Sequence, residues 1–111
     1  MNNLRTKYTV RVFFNETHGH RFFQYHEGDE LKPSELNTHF ALEHEGQSHH
    51  DLALDACDQV FGLMNADNRP NGKTERSLSV GDVIALEDEE GKLYVYAVES
   101  VGFKKLENWR M

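Results

Sequence analysis

The chain has 111 residues, of which 38% are hydrophobic and 28% charged, and its formal net charge is −7. This length and composition predict one soluble globular domain over residues 1–111, with enough apolar surface to build a core. The sequence has no apolar run of the roughly 18 residues that a membrane-spanning helix needs. With a single cysteine and no signal-peptide pattern, we expect a cytoplasmic protein that does not bind membranes.

The first predicted element is an alternating stretch from Arg5 to Phe14. Apolar residues at every second position (Tyr8, Val10, Val12, Phe14) indicate a strand with one buried face and a basic outer face. A second aromatic run, Phe22 to His26, predicts the other strand of a hairpin. Residues 33–45 fit either a short helix that opens at Pro33 or a strand from Thr38 to Glu43, and we favour the strand.

The clearest periodicity in the sequence runs from Ser48 to Asn65 and predicts an amphipathic helix. Its apolar stripe follows helical spacing, and Leu52 and Leu63 widen it; the stripe residues are Ala53, Ala56, Cys57, Val60, Phe61 and Met64. We expect Phe61 to be buried on the sheet. The single cysteine falls within the stripe, which indicates a buried small hydrophobe rather than a nucleophile.

The last third of the chain reads as a turn followed by a hairpin. Gly81 suits a positive backbone φ and Asp82 can accept nearby amides, so residues 80–82 predict a tight turn. Strands Val83 to Glu87 and Leu93 to Val98 follow, with Gly91 in the connecting loop and a short final strand near Phe103. The fold class is therefore α+β, a mainly antiparallel sheet with one main amphipathic helix on one face, in the order ββ(β)αββ.

The segment Arg76 to Ile84 is the most motif-like part of the sequence. Its polar members are Arg76, Ser77, Ser79 and Asp82, and each has a local structural task available. Gly81 permits the chain to reverse, so we predict a structural corner rather than an active site. The segment 61–103 resembles a group of small, mostly uncharacterised actinobacterial and phage proteins and the YodL-like domains of mobile elements. The resemblance is carried by Phe61, Met64-Asn65-Ala66-Asp67, Arg76-Ser77-Leu78-Ser79-Val80-Gly81-Asp82-Val83, Tyr94 and Val101-Gly102-Phe103. It implies a compact α+β domain associated with phages or plasmids, and it implies no catalytic residue.

Residue clusters that would support an enzyme are weak in this sequence. All seven histidines precede residue 51, but the spacing of His39, His44, His49 and His50 matches no zinc pattern. The acids from Glu87 to Glu90 crowd a hairpin tip, where repulsion favours exposure over a catalytic pair. We expect no cofactor, no tightly bound metal and no enzyme activity, with a metal-dependent enzyme that uses the histidines as an alternative.

Acidic residues are concentrated between Glu27 and Asp58, where nine acids accompany the single base Lys32. Such a field repels nucleic acid and attracts a basic protein surface. The leading hypothesis is a module that binds a protein partner through an acidic face; the candidate residues are Glu27, Asp29, Glu30, Glu43 and Glu45. The alternative within this class is an anti-defence inhibitor that mimics nucleic acid. The simpler alternative is that the acids have no binding role and only keep the protein soluble.

Overall fold

The computed structural model describes residues 4–16, 25, 29–33, 40–46, 49–66 and 78–107. Six strands and one helix lie in these ranges, and they confirm the α+β class and the mainly antiparallel sheet. In chain order the elements are β1 Leu4–Asn15, β2 Leu31–Pro33, β3 Phe40–Gly46, α1 His49–Leu63, β4 Val83–Glu87, β5 Leu93–Val98 and β6 Phe103–Lys105.

The long strand β1 lies inside the sheet and organises its topology. The described strands follow the order β2-β1-β4-β5-β6, and β3 also pairs with β1; every pairing is antiparallel. Thr9 pairs with both Ala41 of β3 and Glu87 of β4. Phe13 likewise pairs with β2 and with β4. Strands β2 and β3 therefore follow one another along the same side of β1, opposite β4.

The main core lies between α1 and one face of the sheet. The alternating apolar residues of β1 meet the helical stripe there, as their spacing predicts. The buried members are Tyr8, Val10, Val12, Phe14, Ala53, Ala56, Cys57, Val60, Met64, Leu78, Ile84, Leu86, Tyr94, Tyr96 and Val98. Among the described residues, no helix is both long and apolar enough to cross a bilayer.

The opposite face of the sheet carries a second, smaller cluster. Val83, Ala85, Val95 and Ala97 are buried there, and partly buried apolar residues pack against them: Phe13, Tyr25, Leu31 and Leu106. Strands β4 and β5 are consequently buried on both faces. Their sequences are nearly continuous apolar runs for this reason, rather than alternating ones.

Two expectations about the helix are wrong. Phe61 is only half-buried, because its ring packs at the rim of the core against the half-buried Phe103, with ring centroids 6.2 Å apart. Leu63 is 37% exposed. It immediately precedes the buried Met64, and one residue corresponds to a rotation of about 100° around a helix, which takes Leu63 off the apolar stripe.

The strand expected between Thr38 and Glu43 is present as β3, shifted by two to three residues. The strand expected from Phe22 to His26 lies outside the described residues, apart from Tyr25. Strand β2 was not predicted from sequence. It has only three residues and ends in a proline, too little for an alternating pattern to be recognised.

Candidate functional site

The corner before β4 is a tight turn formed by Ser79, Val80, Gly81 and Asp82. The Asp82 amide donates to the Ser79 carbonyl oxygen at 3.1 Å, which closes the turn. Gly81 has a φ of 95°, at the third turn position, where a type II turn requires positive φ. A residue with a Cβ would be strained at this position.

The carboxylate of Asp82 is completely buried and joins two separate parts of the chain. One oxygen accepts the Ser79 amide at 2.8 Å, inside the turn. The other accepts the backbone amide of Asn15, at the end of β1, also at 2.8 Å. The Asp82 carbonyl accepts the Val98 amide at 2.8 Å, which continues the pairing with β5. These bonds fix the corner to the sheet on both sides.

Asn15 is the residue of this site that the sequence did not reveal. Its side-chain amide donates to the Gly81 carbonyl at 3.1 Å and to the Asp29 carboxylate at 2.9 Å. Asn15 therefore links the corner to the segment that enters β2. The only sequence signal is an asparagine at the end of an alternating strand, which also fits the start of an ordinary turn.

The acids at the tip of the β4–β5 hairpin are not all exposed, contrary to the sequence prediction. Glu89 and Glu90 are exposed, but Asp88 is buried. One carboxylate oxygen of Asp88 accepts the amides of Glu90 and Lys92, each at 2.9 Å. Gly91, with a φ of 84°, completes the turn. Asp88 is buried because it satisfies turn amides, a gain that outweighs repulsion from its exposed neighbours.

The five candidate residues of the acidic face fall into separate places. Glu27 lies outside the described residues. Asp29 is half-buried and bonded to Asn15, and the carbonyl of the exposed Glu30 accepts the Glu16 amide at 2.8 Å.

The other two candidates belong to β3, which among the described strands pairs with β1 alone. Its register places Glu43 opposite Lys7 and Glu45 opposite Arg5. About nine residues of β1, roughly 30 Å of extended chain, separate this pair from Glu30. Glu30 and the pair Glu43/Glu45 therefore lie far apart along β1.

A comparison with protein families decides the classification of the chain. The model of the YodL-like domain matches residues 9–109, nearly the whole chain. The chain belongs to the YodL-like domain family. No curated protein matches it, and no solved structure does.

Three of the four histidines considered as metal ligands lie in described elements of this YodL-like domain. His39 lies outside the described residues, His44 is in β3, and His49 and His50 begin α1. Within the described part of the chain, no group of three or more histidine, cysteine or acidic residues is arranged to hold a metal ion. The metal-dependent alternative therefore gains no support from the described residues.

The interior of the YodL-like domain holds a buried thiol and a buried phenol. Cys57 is fully buried, and burial, together with the neighbouring Asp58, raises the pKa of its thiol. A raised pKa keeps the thiol protonated, whereas a nucleophile needs the thiolate. The Tyr96 hydroxyl is buried and forms no hydrogen bond with any residue that the structure describes, and burial raises the pKa of Tyr96 to about 12. Both side chains act as parts of the apolar core.

Proposed function

We propose that this YodL-like domain is a cytoplasmic protein-binding module of a phage or other mobile element, and that it binds its partner through the acidic strand β3. The single observation that carries the proposal is the position of Glu43 and Glu45 on a strand at the side of the sheet. The resemblance of the motif segment to phage and plasmid proteins supports the biological setting.

Three other described acids near the sheet have structural tasks. Asp82 and Asp88 accept backbone amides of turns, and Asp29 accepts the side-chain amide of Asn15. Carboxylates engaged in this way contribute to folding rather than to recognition. Acids at the periphery are better placed to attract a basic surface and to increase its rate of association.

The test is a pull-down with a pair of variants that change the charge equally. Glu43→Lys/Glu45→Lys alters β3, and Glu89→Lys/Glu90→Lys alters the exposed hairpin tip. We expect a partner that is retained by the wild type and by the tip variant but lost by the β3 variant. Raising the salt from about 0.05 M to about 0.5 M should weaken retention, because exposed charges are screened.

Retention of the same partners by both variants would contradict the proposal. Because lysines at positions 43 and 45 would stand opposite Lys7 and Arg5, the Glu43→Gln/Glu45→Gln variant is measured in parallel, with a thermal melt to confirm folding. Displacement of the partner by double-stranded DNA would instead favour the nucleic-acid mimic.

A further inference from the structure

The two outer sides of the described sheet differ in length and charge. β6, at one side, has only three residues, and its Lys104 and Lys105 are exposed. Short strands and lysines are common devices that prevent further strands from pairing with an edge. This side of the sheet is therefore protected against strand addition.

β3 lies on the other side and is longer. Its seven residues all pair with β1, from Phe40 opposite Val10 to Gly46 opposite Leu4. In the part of the chain that the structure describes, no strand pairs with the far side of β3. An extended strand of this length, about 24 Å, offers a row of backbone donors and acceptors that another chain can use.

The helix keeps β3 in position before any partner arrives. α1 begins three residues after β3 ends and packs against β3 as well as against β1 and β4. A strand that is already extended and supported loses little conformational entropy on binding. The edge is thus preorganised for an additional strand.

The two glutamates at alternate positions of β3, Glu43 and Glu45, determine which side chains an added strand should carry. We infer that β3 accepts an extended segment of the partner protein as a further antiparallel strand, with Lys or Arg at alternate positions in register with Glu43 and Glu45. Opposite charges directly across antiparallel strands are favourable, and like charges are unfavourable. β1 already follows this rule, since its Lys7 and Arg5 occupy the register positions opposite the same two glutamates. The inference rests on the proposed function and specifies the mode of binding.

Two of the antiparallel registers in which a second copy of this chain could pair with β3 are unfavourable. If two β3 strands paired antiparallel about His44, Glu43 of each copy would stand opposite Glu45 of the other. If they paired about Glu43, that residue would oppose its own copy. Both registers place like charges directly across the interface.

The first test uses a synthetic peptide of ten residues, with blocked ends and alternating Lys and Val, and measures binding by fluorescence anisotropy. Two control peptides replace Lys with Glu or collect the same Lys and Val residues into separate blocks. We expect only the alternating Lys peptide to bind. The Glu43→Gln/Glu45→Gln variant should bind it about five- to tenfold more weakly, as two exposed ion pairs predict. Glu89→Gln/Glu90→Gln should not change the affinity. Equal binding of the block peptide would overturn strand addition.

The second test is amide hydrogen exchange across Phe40–Gly46, with and without the alternating Lys peptide. Strand addition should protect alternate amides of β3, because successive backbone groups point to opposite sides of a strand. Binding that needs Glu43 and Glu45 but protects no β3 amide would overturn strand addition and leave the proposed function intact. Protection that rises with protein concentration alone, together with a dimer in solution, would instead identify a second copy as the occupant and refute the partner named here.

Discussion

The β4–β5 hairpin and the β1–β3 ribbon (Leu4–Val10 paired with Phe40–Gly46) use acidic residues in opposite ways. Asp82, just before β4, and Asp88, in the turn between β4 and β5, are buried and accept backbone amides. In the ribbon, Glu43 and Glu45 occupy alternate positions opposite basic residues on a strand at the side of the sheet. Acidic residues close in sequence or in the fold therefore need not share a task, so a negative net charge does not by itself locate a binding surface.

The largest difference between the two regions should appear when Asp82 is removed. Asp82→Ala removes the acceptor of the buried Asn15 amide and of the partly buried Ser79 amide, and we expect a loss of about 3–5 kcal/mol in the free energy of unfolding. Asp82→Asn keeps one acceptor oxygen and should cost roughly half as much. Denaturant melts measure both. A loss below about 1 kcal/mol for Asp82→Ala would show that the corner does not hold the sheet together.

Gly81 gives the next largest effect, and Gly62 provides a matched control. Gly81→Ala forces a Cβ into a backbone with a φ of 95° and should destabilise the protein by about 1–3 kcal/mol. Gly62 lies in α1, and a Cβ added there would meet no described atom beyond its own helix within 4 Å, so Gly62→Ala should stabilise the protein by about 0.5–1 kcal/mol. Thermal melts of the two variants should shift in opposite directions, and shifts in the same direction would contradict the turn geometry.

Tyr96, in β5, tests whether every buried polar group of the hairpin contributes to stability. Since its buried hydroxyl bonds to none of the described residues, Tyr96→Phe should be neutral at pH 7 or stabilising by up to about 1 kcal/mol.

The raised pKa of Tyr96 adds a dependence on pH. In the unfolded chain a tyrosine loses its proton near pH 10, whereas in the folded protein Tyr96 keeps it to about pH 12. Its contribution is therefore complete below pH 10 and is lost as the pH rises to about 12. Stability measured over this range should fall less steeply in Tyr96→Phe, and identical slopes would indicate that Tyr96 does not couple to folding.

The smallest expected effect on stability belongs to the ribbon. The proposed function requires these two glutamates to face solvent, so Glu43→Gln/Glu45→Gln should change the free energy of unfolding by less than about 0.5 kcal/mol. The same variant is expected to weaken partner binding, so stability and binding separate in this region. A destabilisation of about 2 kcal/mol or more in denaturant melts would show that these glutamates, like Asp82, stabilise the fold.

Elements with a strong local pattern could be predicted from the sequence. In β1 and in the helical stripe, apolar residues recur at the spacing of the buried face, and the two hairpin strands are nearly continuous apolar runs. Such patterns are visible in a single sequence. The positive φ of Gly81 follows from turn chemistry in the same way. Asn15 could not be assigned, because its role depends on Asp82, Gly81 and Asp29, none of which is near it in the chain. The partial burial of Phe61 depends on how far the core extends beneath the helix, which helical spacing does not specify.

The bond between Asn15 and Asp82 has a consequence for the order of synthesis. The two residues are 67 positions apart in the chain. At about 5–20 residues per second, a ribosome would need roughly 3–13 s to pass from one to the other. During that interval Tyr8, Val10 and Val12 have no β4 to cover them, and the nascent chain depends on β3 and α1 to shield this apolar surface. A chaperone that binds short apolar segments would find its best target there, in the seconds before the corner is complete.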